Sequence, residues 1–360
     1  MRRGTRRRER AVRRGTQVGA VPALLAAAVA VSLAAGCATE PGTEDDARAP
    51  HIERSHPAGR SHDTGRSHDA ERPPDPQRQG TPPSRDRHGA ASVLAVKLDN
   101  VPAARPQAGL EAADVVYVEP VEAGLSRLMA VYATAFPKTV GPVRSARESD
   151  LELLRQFDRP TLAFSGAQRK LLPLVDRAPL RAEPPGRTSD AYLRDKGRAA
   201  PHNLYVRPGR LLPSPAGAAA LTTGFRYGDA PAGGRAQSSR TVRYPSASFT
   251  FTWSERRDRW LVAMDGTPAT TDGGRRAAPA TVVVQHVRVR ESAFGDFLGN
   301  NSPYVETVGS GRAEVLRDGR TYEATWKRGA ASDGTSFTAP DGTPVNFADG
   351  QVWVVFTDTP

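Results

Sequence analysis

Two arginines three positions apart, Arg144 and Arg147, are the pair in this 360-residue chain most suited to chemistry. A guanidinium is a planar fork of donors that matches phosphate and carboxylate. If a helix began as early as Arg144, both forks would lie on one face near its free N–H groups and favour an anion. Other polar residues recur at the ends of apolar runs: Arg105, Gln107, Glu119, Arg127, Asp150, His202 and Asn203. Loops on a rigid scaffold are where binding groups tend to sit. The expected ligand set is therefore Arg105, Gln107, Glu119, Arg127, Arg144, Arg147, His202 and Asn203. The competing reading is an internal network in which the arginines pair with Glu119, Asp114 and Asp150.

Catalytic readings have less to stand on. Glu119 and Asp150 could act as a carboxylate pair on a glycosidic bond. Ser165 with His202 could form part of a triad, but Phe164-Ser-Gly-Ala167 lacks the Gly-x-Ser-x-Gly elbow. There is no HExxH, Walker loop or dinucleotide fingerprint. His202 and His286 alone make no metal site, so neither metal nor cofactor is expected. Trp253, Trp260, Trp326 and Trp353 are read as core aromatics, with a sugar-stacking surface as the alternative.

The chain opens with eight arginines and one acid in residues 1–17, followed by an uncharged apolar run over 18–35 and Gly36-Cys37. A basic region, an apolar region and small residues before a cleavage point form a secretory signal. The sole cysteine, Cys37, stands where a lipobox carries its acylated thiol, although Ala34 occupies the position usually held by Leu. An uncleaved anchor is the alternative. Arg13-Arg14 permits a twin-arginine route, but the apolar pair expected soon after is missing. The formal charge of +11 is mostly leader: residues 1–36 carry +7, leaving +4 on the other 324 residues. That balance does not point to nucleic acid. A lone cysteine forms no intramolecular disulfide, so stability must come from the core.

The elements that must hold these residues follow. Residues 37–90 are polar and read as a disordered tether. They contain His51, His56, His62, His68 and His88, read as a solvated spacer rather than a metal tract. As a coil the tether would span on the order of 40 Å. Residues 93–98, 113–119 and 127–134 are strand candidates. Residues 147–158 are expected to form a helix with Ser145 as N-cap, 161–165 a buried strand, and 168–175 a helix cut short by Pro173. Residues 176–215 look loop-dominated. From about 240 short strands, expected over 248–253, 259–264, 281–290, 304–308, 313–316, 320–327 and 352–356, alternate with Asp-Gly turns at 265, 318, 333 and 341. The expected fold is α+β: a mixed α/β N-terminal domain over 91–215, a linker over 216–240, and a mostly antiparallel, β-rich C-terminal domain over 241–360.

The blocks Val96-Lys-Leu-Asp-Asn100, Ala104-Arg-Pro-Gln-Ala-Gly-Leu110, Ala113-Asp-Val-Val-Tyr-Val-Glu119, Ser126-Arg-Leu-Met-Ala-Val-Tyr132 and Val140-Gly-Pro-Val-Arg-Ser-Ala-Arg147 follow one another closely. With Pro201-His-Asn-Leu-Tyr205, Phe225-Arg-Tyr227, Val282-Val-Val-Gln285, Gly309-Ser-Gly-Arg312, Trp326-Lys-Arg328 and Val352-Trp-Val354, this series resembles the YerB-like lipoprotein family, domain of unknown function 3048. The resemblance covers roughly residues 92–357. It implies an envelope location and a two-domain body, and brings no established chemistry. The expectation is an exported protein, anchored through acylated Cys37 on the outer face of the cytoplasmic membrane. It would bind an anionic wall ligand such as peptidoglycan, or the wall-synthesis machinery. An envelope hydrolase and a structural partner of a membrane protein are the alternatives.

Overall fold

The computed structural model describes residues 92–296 and 299–359; the leader, Cys37 and the expected tether with its histidines lie outside the described residues. The first half contains β1 (Leu94–Asp99), β2 (Val115–Pro120), β3 (Ser126–Tyr132), β4 (Thr161–Ala163), β5 (Arg181–Glu183), β6 (Tyr192–Arg194) and β7 (Leu204–Val206). The second contains β8 (Arg235–Ala236), β9 (Ser239–Tyr244), β10 (Ala247–Ser254), β11 (Arg259–Met264), β12 (Thr267–Pro268), β13 (Thr281–Val287), β14 (Val289–Gly295), β15 (Asn301–Val305), β16 (Gly309–Arg317), β17 (Arg320–Arg328), β18 (Ser336–Thr338) and β19 (Val352–Asp358). The α-helices among the described residues are short: α1 (Glu148–Leu154), α2 (Leu172–Arg177) and α3 (Pro208–Leu211).

One sheet runs through both halves of the chain, in the order β18-β17-β16-β13-β19-β2-β3-β1-β4-β5, with β8 added on β17. The joint is β19, which lies parallel to β13 on one side and to β2 on the other, with Val352 opposite both Thr281 and Val115. All six residues of β1 are buried. A strand covered on both faces carries apolar residues at successive positions, which is why 93–98 shows no alternation.

Side chains alternate between faces along each strand. One face takes Ala95, Tyr117, Met129, Val283, Val354 and Phe356, and packs on Leu153, Leu154 and Phe157 from α1 and the turn after it. The other takes Val96, Val116, Leu128, Val282 and Trp353, under the four-stranded sheet β12-β11-β10-β9. Phe249 and Phe251, two apart on β10, both meet Trp353 edge-on. Trp260, Trp326 and Trp353 are core residues, while Trp253 lies half-buried against Trp260.

The fold is mostly β, which corrects the expected mixed α/β N-terminal part. The helix predicted over 147–158 ends at Leu154. Pro160 disfavours helical geometry at Arg159, which takes φ +46°. Its cap is Arg147 rather than Ser145, the Arg147 N–H donating to Asp150 Oδ2 at 2.7 Å. Pro173 opens α2 instead of cutting a helix short, because a first-turn proline forfeits no hydrogen bond. The run predicted as one strand over 281–290 breaks at Arg288, and β14 leaves the sheet to pair only with β15.

Asp265-Gly266 and Asp318-Gly319 take positive φ at both residues, the turn that matches strand twist. Asp333 and Asp341 do not, so those pairs form other loops. Residues 216–240, expected as a linker, are packed: Phe225 meets Phe337 and Phe347, and β8 extends the main sheet.

Candidate anion cleft

On the α1 face the central strands change from apolar to charged as they near one end. β1 presents Ala95, Lys97 and Asp99 in turn, β2 presents Tyr117 and Glu119, and β3 presents Met129 and Arg127. The register sets Arg127 between Asp99 and Glu119 on neighbouring strands. Period two and pairing therefore gather four charges that the sequence spreads over 31 positions.

Lys97 is wholly buried. Its ammonium contacts Glu119 and lies 2.7 Å from Asp150 Oδ1, which is also wholly buried. An unpaired lysine is almost never buried, so this trio ties β1, β2 and the start of α1 together. Burial and then the nearby Asp150 carboxylate push Glu119 up to about 8, outweighing Lys97. Two carboxylates facing one ammonium thus hold a proton at neutral pH, a property of the pair rather than of one residue.

The folded state then binds one more proton than the unfolded state between the ordinary glutamate value and about 8. Stability from this group is complete below that window and is lost as pH rises through it. Glu119→Gln is neutral throughout, so its urea midpoint should fall less between pH 6 and pH 9 than the parent's. Equal falls would show that the proton is not held there.

Beside the trio opens a cleft of about 500 Å³. Arg127, Arg144, Arg147 and Arg169 line it, with Asp99, Glu122 and Asp296; Val101, Val121, Leu125 and Ala167 supply apolar wall. Arg147 is fully engaged: Nε and Nη2 donate to Glu122 at 2.5 and 2.8 Å, and Nη1 donates to the Ala146 carbonyl at 3.1 Å. Burial alone would raise Glu122, but hydrogen bonds and charge from Arg147 outweigh it and leave the carboxyl below the usual range. Arg144 Nε lies 3.0 Å from Asp99 Oδ2 without a directed hydrogen bond, and its terminal nitrogens have no partner among the described residues.

Arg127 is 9% exposed and has no carboxylate partner among the described residues; its Nη1 donates to the Ser145 carbonyl at 3.2 Å. Burial, followed by the Arg147 charge, pushes it down to about 10, so it stays cationic at neutral pH. One rim comes from the end of the β14–β15 hairpin, where Asn300 donates to both oxygens of Asp296. The hairpin is docked on acids of the first half: Tyr304 and Thr307 donate to Glu152 at 2.9 and 3.0 Å, and Ser302 donates to Glu122.

The predicted residues do not form one cleft. Arg127, Arg144 and Arg147 come together, but α1 starts at Glu148, so no helix carries the two arginines of the 144–147 pair. Glu119 is sealed with Lys97 and does not line the cleft, which removes the geometry for general acid–base work. Arg105 lies elsewhere, 2.8 Å from Asp265 and lining a separate groove of about 240 Å³ with Gln107. Gln107 is buried and donates to Asn100 Oδ1 at 3.0 Å. His202 Nδ1 is 2.7 Å from Asp99 Oδ2, and Asn203 accepts from Arg194 at 2.8 Å. Asp99-Asn100 is thus a hub: Asp99 meets Arg144 and His202, while Asn100 meets Arg105 and Gln107.

Sequence reasoning missed Lys97, Asp99, Glu122, Arg169, Asp296 and Asn300. A lysine inside a continuous apolar run was a signal for Lys97, since such a strand buries it and demands carboxylates. The others carry no local signal.

Two stretches match the family described as "Protein of unknown function (DUF3048)": residues 80–220 its N-terminal domain and residues 240–354 its C-terminal domain. Over 283 residues the chain is 25% identical to the Bacillus subtilis protein named "Putative lipoprotein YerB", covering 72% of this chain and 80% of that one. The crystal structure of YerB from Bacillus subtilis superposes with a TM-score of 0.61 at 19% identity, over 74% of this chain and 91% of that one, a likeness of fold. With both domain patterns in order across most of its length, this chain belongs to the DUF3048 family.

Proposed function

We propose that this protein is a membrane-anchored module of the cell envelope that binds an anionic wall ligand in the Arg127 cleft. The observation that carries the reading is Arg127 itself: a buried cation lining a cleft, with no carboxylate in ion-pair contact among the described residues. Burying a charge is costly unless it is paired, and an anionic ligand would complete the pairing. Arg144, held by charge to Asp99 and with no partner for its terminal nitrogens among the described residues, is the second anchor. The basic and apolar leader ending at Cys37, together with the name of the Bacillus relative, supports export and acyl anchoring on the outer face of the cytoplasmic membrane.

The test is binding of the detergent-solubilised full chain to purified peptidoglycan fragments and anionic wall polymers. Arg127→Met should weaken binding about 10–100-fold, the worth of a charged hydrogen bond, with an unchanged circular dichroism spectrum. Absence of binding by the parent would sink the wall-ligand reading and shift the weight to a protein of the wall-synthesis machinery.

A further inference from the structure

We infer that the ligand is a phosphate monoester carrying an apolar group on its ester oxygen, an inference that rests on the anion-cleft reading. Donor arithmetic selects phosphate. A carboxylate has two oxygens and saturates one guanidinium fork. Here two neighbouring forks are open. Arg144 gives its terminal nitrogens to no acceptor among the described residues, and Arg127 gives only Nη1, to one carbonyl. Their charges interact, since Arg144 helps to push Arg127 down. Three terminal phosphate oxygens can occupy both forks at once.

Charge favours an anion. Among the described residues four guanidinium groups, Arg127, Arg144, Arg147 and Arg169, line the cleft against three carboxylates, Asp99, Glu122 and Asp296, an excess of one positive charge. The monoester is selected over a diester or a carboxylate by its three terminal oxygens.

The apolar group follows from the wall. Val101, Val121, Leu125 and Ala167 line the same cleft as the arginines. A bare phosphate would leave that surface facing water. An alkyl or similar group on the ester oxygen would cover it, gaining roughly fourfold in affinity per buried methylene. The same chemistry is available from a water-soluble phosphate ester and from the headgroup of an anionic membrane lipid.

The experiment is calorimetric titration of the full chain in non-ionic detergent with inorganic phosphate, butyl phosphate and butyrate. Butyl phosphate should bind at least tenfold more tightly than either of the others. In Leu125→Ser the ratio of butyl phosphate to inorganic phosphate affinity should fall to about one. Arg144→Met should remove the gain over butyrate. Equal affinity for phosphate and butyl phosphate would overturn the apolar-group inference and leave the anion cleft standing. Butyrate binding as tightly as butyl phosphate would overturn the choice of phosphate. If none of the three binds, both readings fall. Displacement of butyl phosphate by micelles doped with dioleoyl phosphatidate would assign the lipid source, and no displacement the soluble one.

Discussion

Lys97→Met is expected to lower the free energy of unfolding by about 3–5 kcal/mol, the usual cost of removing one partner from a buried ion pair. The side chain has no exposure, and its ammonium is the cation between Glu119 and Asp150. Methionine fills a similar volume but leaves two carboxyl groups facing each other without water. Both are then driven toward the neutral form, so the deficit should shrink as pH falls and the two groups take up protons. The double variant Lys97→Met, Glu119→Gln should recover part of the loss. It removes the like-charge contact and leaves Asp150 accepting the Arg147 N–H at 2.7 Å. Urea midpoints at pH 5 and pH 8 measure all of this. A loss under 1 kcal/mol at pH 8 would mean that the trio is not the keystone its burial implies.

The second large effect concerns the two family segments. Residues 81–239 and 240–360 expressed apart should each fail to unfold cooperatively, whereas the two pieces produced together should assemble and do so. The boundary between the matched segments falls between residues 220 and 240, yet the sheet does not respect it. Without the second segment, β2 loses β19 and exposes the edge of a strand that is otherwise buried. Without the first, β19 loses β2, and Val354 and Phe356 lose the neighbours that cover them. Arg328 of β17 crosses the same boundary, donating to the carbonyls of Glu152 and Leu153 at 3.0 and 3.3 Å. Both bonds are lost when the segments are separated. A cooperative transition in residues 240–360 alone, followed by denaturant titration, would refute this.

Much of the β structure was legible in the sequence. β11 spans Arg259–Met264 as predicted, and the Asp318-Gly319 turn falls between β16 and β17, because a turn that needs two positive φ values selects those residues locally. The N-terminal part was harder. Its central strands are buried on both faces, so they show no alternation that would tell strand from helix, and its helix content was overestimated. The segregation of charge into the leader, the lone cysteine and the order of the family blocks also needed no coordinates.

What the sequence by itself determined, then, is which residues are present and which stretches extend: three arginines, a set of strands, and two family segments. What only the tertiary structure decided is who faces whom. Arg147 is spent on Glu122, Arg144 leans on Asp99, Arg127 lines the cleft with no ion-pair partner among the described residues, and Glu119 is buried against Lys97. The parallel insertion of β19 between β13 and β2 likewise joins residues more than 230 positions apart. Such pairings are set by non-local register and by the burial of both sheet faces. A strand's local composition fits many partners equally well, and only packing selects one.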